Sequence, residues 1–269
     1  GICRHEDHPV HGASLPTEVI RADHDLIAGM HANFIRRAHY PHSLAELEEA
    51  EVRGLLQAEE IPVYQAGSGF TAWKQEREPW RRLPVRLFGI RQTCRPEFLS
   101  HARRQLMELI ERDRLRPSII YWGTGNESYT LGRRAGAVFT RLAEIARDCD
   151  RTRPVTYVEL SYNIPVLDRL RRGWRGADIA SLNSYYGWYY GEASGLSAHL
   201  DRARRLHAGK PLILSEFGAG AAPGRSSADG PWQGERIQTT RTYGEDYQAE
   251  VLRHYWEIAR ERQEIVGVS

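Results

Sequence analysis

The sequence contains few cysteines and no long apolar run. Its three cysteines, Cys3, Cys94 and Cys149, are odd in number and widely spaced among 269 residues. Such a set suggests neither a disulfide framework nor a pair of closely spaced metal ligands, and it favours a reducing compartment such as the cytoplasm. Because no apolar segment approaches the ~20 residues of a membrane-spanning helix and no signal peptide is recognisable, we expect no membrane partner.

An excess of either charge is also absent. The chain has 37 basic and 35 acidic residues, a net charge of +2, and no block of like charge. Proteins that bind nucleic acid usually concentrate basic residues on one face or in one segment, so we expect no nucleic-acid partner. Lysine is scarce, with only Lys74 and Lys210, and we interpret the arginine bias as a codon preference of the genome.

Short β-like runs alternate with longer amphipathic runs along the chain. Strands are predicted at residues 1–5, 33–37, 61–66, 118–122, 155–159, 179–183, 211–216 and 265–269. Helices are predicted near residues 17–31, 44–59, 96–114, 132–149, 163–172, 196–208 and 245–262. This alternation is typical of a parallel α/β fold.

Eight strands with seven intervening helices match a (β/α)8 TIM barrel that lacks only its last helix. A doubly wound sheet would alternate in the same way. It usually has a glycine-rich phosphate turn after its first strand, however, and the segment "GICRHEDHPVHG" is not one. With 41% apolar residues, the chain can form one large core. We therefore predict a single TIM-barrel catalytic domain over residues 1–269, without accessory β-sandwich domains in this chain.

Two segments are too long for simple connections. Residues 67–95 follow the third predicted strand, and residues 219–244 follow the seventh. Loops of this length are usually functional or disordered. Both lie on the C-terminal side of their strands, where barrel enzymes have their active sites, so we expect both near the substrate.

Two glutamates fall at predicted strand ends. The fourth strand runs into "WGTGNES", which places Glu127 just past its end, and the seventh ends in "LSEFGAG", with Glu216 at its tip. In a barrel, the C-terminal ends of all strands meet at one rim. A pair of carboxyl groups there can cleave a glycosidic bond, because one protonates the departing oxygen while the other attacks the anomeric carbon.

The sequence resembles glycoside hydrolase family 2, which contains β-galactosidases, β-glucuronidases and β-mannosidases. The resemblance covers nearly the whole chain and rests on five segments in the family's order. These segments are "GICRHEDHPVHG", "NFIRRAHYPH", "RDRLRPSIIYWGTGNES", "SLNSYYGWYYG" and "KPLILSEFGA". The fourth of them is most similar to β-glucuronidases.

The resemblance implies a role for each matching residue. Glu127 corresponds to the general acid/base and Glu216 to the nucleophile of a retaining double displacement, for which the carboxyl groups should lie about 5–5.5 Å apart. Asn126 corresponds to the residue that binds the sugar 2-hydroxyl. Arg36 corresponds to an arginine that keeps the nucleophile ionised, and Tyr185 to a tyrosine that donates a hydrogen bond to it.

The resemblance also implies residues that bind the sugar without reacting. His5 and His39 correspond to histidines that line the sugar pocket, and Trp188 and Tyr189 would form an aromatic wall. It implies no cofactor and no metal. Some β-galactosidases bind magnesium through a Glu and a His after the third strand, but here that place reads "VYQAGSG".

Three functions remain open. The favoured one is a retaining exo-β-glycosidase that acts on β-glucuronides, or next on β-galactosides, with missing domains or a partner chain completing the barrel. The alternative is a non-catalytic, engineered or truncated barrel that binds carbohydrate without turnover. The third is a metal-dependent hydrolase built on His5, His8 and His11 of the segment "HEDHPVH".

Overall fold

The computed structural model describes residues 1–67, 92–160, 165–229 and 243–269. Of the two long segments predicted near the substrate, residues 68–91 and residues 230–242 therefore lie outside the described residues. The strands of the described ranges pair in the order β1 to β8, and five of the neighbouring pairs show parallel registers. They are β1 (Ile2–Arg4), β2 (Phe34–Arg37), β3 (Leu56–Glu60), β4 (Ile119–Asn126), β5 (Val155–Leu160), β6 (Ile179–Asn183), β7 (Leu212–Glu216) and β8 (Ile265–Val268).

Seven α-helices in the described ranges alternate with these strands, as the amphipathic runs predict. They are α1 (Thr17–Gly29), α2 (Leu44–Val52), α3 (Pro96–Asp113), α4 (Arg133–Cys149), α5 (Pro165–Leu170), α6 (Gly195–Leu206) and α7 (Glu245–Arg260). None of the helices in these ranges is long and apolar enough to cross a membrane.

The third strand was predicted wrongly at 61–66, and the second helix was predicted too long. Helix α2 ends at Val52, and Gly54 reverses the chain with a φ of +66°. A residue without a Cβ adopts this left-handed conformation without steric cost. Strand β3 then follows at once. Its sequence "LQAEE" resembles the polar face of a helix, yet the side chains of Glu59 and Glu60 are buried.

Two neighbouring arginines of β2, Arg36 and Arg37, are both fully buried. Successive side chains of a strand point to opposite faces, so the two arginines are buried on opposite sides of the sheet. Arg37 packs against α2 and β3, where it donates to Glu46 Oε2 at 2.7 Å and to Gln57 Oε1 at 2.9 Å. Burial lowers the pKa of Arg37, although the Glu46 carboxylate opposes that effect. This network anchors α2 to the sheet and leaves Arg36 for the opposite face.

The chain forms two compact units. The first contains Gly1–Leu160 and Leu170–Ser181, and the second contains Ser161–Arg169 and Leu182–Val268. Each has its own apolar core. That of the first includes Leu106, Trp122, Phe139, Leu142 and Tyr157, and that of the second includes Tyr186, Leu200, Leu214, Val251 and Tyr255. The prediction of one catalytic domain over 1–269 stays a prediction.

Candidate active site

In the first unit, the end of β4 holds Glu127 in a tightly packed turn. Gly125 precedes it with a φ of +155°, and a Cβ at that position would lie 3.1 Å from atoms of Val63 and Phe139. Glu127 itself has a φ of +49° and donates its backbone N–H to the carbonyl of Val158 on β5 at 2.9 Å. The side chain of Glu127 is only 6% exposed.

The chain that follows β3 pairs with this turn. Asn126 N donates to the carbonyl of Val63 at 2.8 Å, and Gln65 N donates to the carbonyl of Asn126 at 2.8 Å. The side-chain amide of Gln65 then donates from Nε2 to Glu127 Oε2 at 3.0 Å. Sequence reasoning missed Gln65 because the third strand was placed over it. The signal available was a polar residue just past the true end of β3.

Three further residues of the first unit form a buried charged cluster beside Asn126. Arg36 donates to Glu60 Oε2 from Nε at 3.1 Å and from Nη2 at 2.7 Å, and Nη2 also donates to Asn126 Oδ1 at 2.9 Å. His39 Nδ1 lies 2.6 Å from Glu60 Oε1. The cluster orients the amide of Asn126 through Arg36.

Glu60 was also missed, although its position at the end of β3 is the same signal that singled out Glu127. Burial alone would raise the pKa of the Glu60 carboxyl. The positive charge of Arg36 and the hydrogen bond with His39 outweigh burial and hold the pKa below its ordinary value. Glu60 is therefore a carboxylate that balances Arg36.

The two histidines predicted to line the sugar pocket lie side by side. The rings of His5 and His39 meet edge to face with centroids 5.2 Å apart, and the ring of His39 stacks on Tyr64 at 4.5 Å. The His5 side chain is exposed, whereas His39 is buried. His5 follows β1 and His39 follows β2, and their binding role stays a prediction.

The rest of the histidine-rich segment after β1 is a loop. The rings of His8 and His11 stack on each other at 4.9 Å, and the buried carboxylate of Glu6 accepts the backbone N–H of Ser43 at 2.8 Å. Across the ranges that the structure describes, no three His, Cys, Asp or Glu side chains converge into a group that could hold a metal ion. The metal-dependent alternative gains no support from this loop.

In the second unit, Glu216 ends β7 and Tyr185 follows β6. The Tyr185 hydroxyl donates to Glu216 Oε2, the contact that the resemblance implied. The backbone also joins the two strand ends, since Ser184 N donates to the carbonyl of Glu216 at 2.9 Å. A hydroxyl donor on one oxygen stabilises the ionised carboxylate, which is the form that a nucleophile needs.

The two residues predicted as an aromatic wall differ in exposure. Trp188 is 6% exposed and packs edge to face on Tyr243 with centroids 4.7 Å apart, so it belongs to the apolar core of the second unit. Tyr189 is 50% exposed and meets the ring of Tyr185 at 5.0 Å. Of the two, Tyr189 has the ring surface that a sugar could contact, and both roles stay predictions.

Comparisons with known proteins identify the family of the chain. The family model for glycosyl hydrolases family 2, TIM barrel domain, matches residues 1–268. The β-glucuronidase of Paenibacillus borealis is 29% identical over 99% of this chain and 41% of its own length. The mouse (Mus musculus) β-glucuronidase is 28% identical over 99% of this chain and 37% of its own length.

Several solved structures are similar over the full length of the chain, and one of them illustrates the match. It is β-glucuronidase 2 of Bacteroides uniformis, covalently bound to cyclophellitol-6-carboxylate aziridine. The TM-score is 0.74 and the identity 29%, and the match covers 100% of this chain and 30% of that one. The chain thus spans about two fifths or less of each of these relatives. The predicted fold is confirmed: the chain belongs to glycosyl hydrolase family 2 and contains its TIM barrel domain.

Proposed function

We propose that this protein is a retaining exo-β-glycosidase that hydrolyses β-glucuronides, with β-galactosides as the second substrate class. The observation that carries the proposal is the placement of Glu127 directly after β4 and of Glu216 at the end of β7. These are the strand ends at which TIM-barrel enzymes perform their chemistry. Each carboxylate also has its own hydrogen-bond donor, Gln65 for Glu127 and Tyr185 for Glu216.

The proposed reaction has two displacements at the anomeric carbon. In the first, the Glu216 carboxylate attacks that carbon while Glu127 gives its proton to the glycosidic oxygen, and the aglycone leaves as an alcohol. In the second, Glu127 takes a proton from water, the resulting hydroxide attacks the same carbon, and Glu216 is released. Two inversions give a sugar with its original configuration.

The neighbouring residues would support these steps. Asn126 would bind the sugar 2-hydroxyl, and its amide is oriented for this by the hydrogen bond from Arg36 to Oδ1 at 2.9 Å. Tyr185 would stabilise the ionised nucleophile. That Arg36 keeps the nucleophile ionised is proposed on the resemblance alone. Its hydrogen bonds to Glu60 and Asn126 also support a role in positioning Asn126.

The substrate class rests on the relatives. The curated relatives in Paenibacillus borealis and mouse are β-glucuronidases. The Bacteroides uniformis relative is covalently bound to an aziridine that carries a 6-carboxylate, which is consistent with a covalent step on a uronic acid. This chain spans less than half of the length of these proteins, and the proposal includes further domains or a partner chain that complete the barrel.

The proposal is tested by hydrolysis of 4-nitrophenyl β-glycosides of glucuronic acid, galactose, glucose and mannose. We expect turnover of the glucuronide above all. The Glu216→Ala variant should lose at least a factor of about 10²–10⁴ in rate, while a variant of the exposed Glu18 on α1, Glu18→Ala, should keep the activity. A folded protein that binds these sugars and hydrolyses none of them would contradict the proposal and favour a non-catalytic barrel.

A further inference from the structure

We infer that Gln65 is a positioning residue for the general acid/base, and that it sets the pH at which Glu127 loses its proton. The inference rests on the proposed function, because it assigns Gln65 a role through Glu127. Gln65 lies outside the charged cluster of Arg36 and Glu60. It belongs to the segment after β3, which was predicted as a strand.

The contact is direct and its two partners are held firmly. Gln65 Nε2 lies 3.0 Å from Glu127 Oε2, which is the ordinary length of an N–H···O hydrogen bond. The backbones on either side are joined by the hydrogen bonds from Asn126 N to the Val63 carbonyl and from Gln65 N to the Asn126 carbonyl, both at 2.8 Å. These two hydrogen bonds together form a parallel β-bridge between Tyr64 and Asn126. The backbone hydrogen bonds therefore fix the position from which the side-chain amide of Gln65 contacts Glu127.

Both residues have an unusual backbone conformation. The φ angle is +48° at Gln65 and +49° at Glu127. A residue with a Cβ pays about 1–2 kcal/mol for this left-handed conformation, and such residues persist where the surrounding structure holds them, often at functional sites. Two of them face each other across one side-chain hydrogen bond. Strain at both ends of the contact indicates that the contact has a function beyond packing.

The chemistry of an amide suits a neighbour that gains and loses a proton. The N–H of Gln65 can donate to ionised Glu127, and after rotation of the amide its Oε1 can accept the proton of the neutral acid. A cation in this place would hold Glu127 ionised, and a carboxylate would hold it protonated. A neutral amide permits both states. Donation from Nε2, as in this structure, favours the ionised form that the second displacement needs.

The test compares the pH profiles of Gln65→Met and Gln65→Glu with that of the unsubstituted protein. Methionine keeps the length and the unbranched stem of glutamine but donates no hydrogen bond. We expect the alkaline limb of kcat/KM to move to higher pH by about one unit in Gln65→Met, equal to ~1.4 kcal/mol for a hydrogen bond to a charged group. Gln65→Glu should move it further, because two carboxylates then lie side by side.

A kinetic split separates this role from a merely structural one. With a 2,4-dinitrophenyl β-glucuronide, the aglycone leaves without help and the second displacement limits the rate. In Gln65→Met at neutral pH, kcat and KM should then fall together by up to about tenfold, with kcat/KM nearly unchanged. The matched control is Gln263→Met, at an exposed glutamine before β8, which should leave the profile and both constants unchanged.

The outcomes are decisive in either direction. An alkaline limb that stays in place in Gln65→Met, or that moves to lower pH in Gln65→Glu, overturns the inference while glucuronide turnover keeps the proposed function. If the unsubstituted protein hydrolyses no glycoside, the proposed function fails, and the role of Gln65 is read from ¹³C NMR of carboxyl-labelled glutamate. The Glu127 signal, identified by its loss in Glu127→Gln, must then titrate at higher pH in Gln65→Met, and an unchanged midpoint overturns the inference.

Discussion

The guanidinium of Arg36 donates two hydrogen bonds to one carboxylate oxygen of Glu60, from Nε at 3.1 Å and from Nη2 at 2.7 Å. Both side chains are almost fully buried, at 1% and 4% exposure. A buried charge is tolerated only with a partner. Nη2 of Arg36 also donates a hydrogen bond to Oδ1 of Asn126. The ion pair therefore connects the stability of the barrel to the geometry of its candidate site.

We expect Glu60→Gln to lower the free energy of unfolding by about 3–5 kcal/mol, because the substitution removes the buried carboxylate that accepts two hydrogen bonds from Arg36. The exposed pair of Arg141 and Glu144, 55% and 50% exposed, supplies the control, and Glu144→Gln should cost less than about 1 kcal/mol. Urea denaturation near pH 7 measures both. Equal costs for the two variants would contradict the account of the buried pair.

The same pair gives a pH dependence with a defined sign. Because the pKa of Glu60 in the folded protein lies below its ordinary value of 4.5, the stabilisation is fully present above pH 4.5 and is lost as the pH falls below it. We therefore expect the difference between the unsubstituted protein and Glu60→Gln to shrink below that pH. A difference that stays constant down to about pH 3 would show that the charge of Glu60 is not what stabilises the fold.

Removal of one hydroxyl should weaken the candidate nucleophile without disturbing the fold. In Tyr185→Phe the ring keeps its contact with Tyr189, while Glu216 loses a hydrogen-bond donor. A hydrogen bond to a charged group contributes about 1.5–3 kcal/mol, so we expect a loss of roughly 10–100-fold in kcat/KM. Steady-state kinetics with a melting curve check this. Full activity in a normally folded variant would exclude a role for Tyr185 in the reaction.

Gly123 of β4 allows close contact with the charged cluster. A Cβ at this position would lie 2.6 Å from the Cβ of Glu60, so Gly123→Ala must push β3 and β4 apart. We expect a cost of about 1–3 kcal/mol in unfolding free energy, together with a loss of activity as Asn126 is displaced. Gly29→Ala is the control, because its Cβ would meet nothing within 4 Å and alanine favours the helix. A cost no larger than that of the control would contradict the close contact.

Buried histidines should make the protein sensitive to mild acid. Burial lowers the pKa of His42 and His207 to about 3 and that of His199 to about 4. The unfolded chain takes up protons near pH 6.5, so stability is lost as the pH falls below that value, by about 2 kcal/mol for each residue at pH 5. Urea denaturation at about pH 7 and pH 5 measures this loss.

A single substitution measures the contribution of one buried histidine, His42, to this pH dependence. In His42→Gln, the loss of stability between pH 7 and pH 5 should be smaller by about 2 kcal/mol, whatever the cost of the substitution itself. The exposed His101 on α3 supplies the control, and His101→Gln should leave the pH dependence unchanged. The account of the buried imidazoles is contradicted if both variants lose the same amount as the unsubstituted protein.

Much of the fold could be predicted because seven strands carry local signals. The apolar runs around "SIIYW" and "PLILSE" fit strands buried on both faces, and the intervening runs have the periodicity of helices. β3 carries no such signal, since its glutamates resemble a solvated helix face. Their burial depends on distant cations, with Arg36 on β2 facing Glu60 and Arg112 of α3 lying 3.3 Å from Glu59. No local pattern contains these partners.

The candidate site was predictable in the same uneven way. Glu127, Glu216 and Asn126 follow from their positions at strand ends together with the resemblance, and the hydrogen bond from Tyr185 to Glu216 was implied in advance. Gln65 and Glu60 were not found, because both depend on where β3 ends. The predicted strand ended six residues too late, at residue 66 instead of Glu60, and this moved both of them away from the predicted rim.

The central claim is tested most directly by the configuration of the first sugar released. ¹H NMR of 4-nitrophenyl β-glucuronide hydrolysis, recorded before the free sugar mutarotates, distinguishes the two anomers by their anomeric proton. Double displacement through Glu216 predicts that the β-anomer appears first and the α-anomer only later. Initial release of the α-anomer would mean a single displacement by water, and it would contradict the proposed roles of both glutamates.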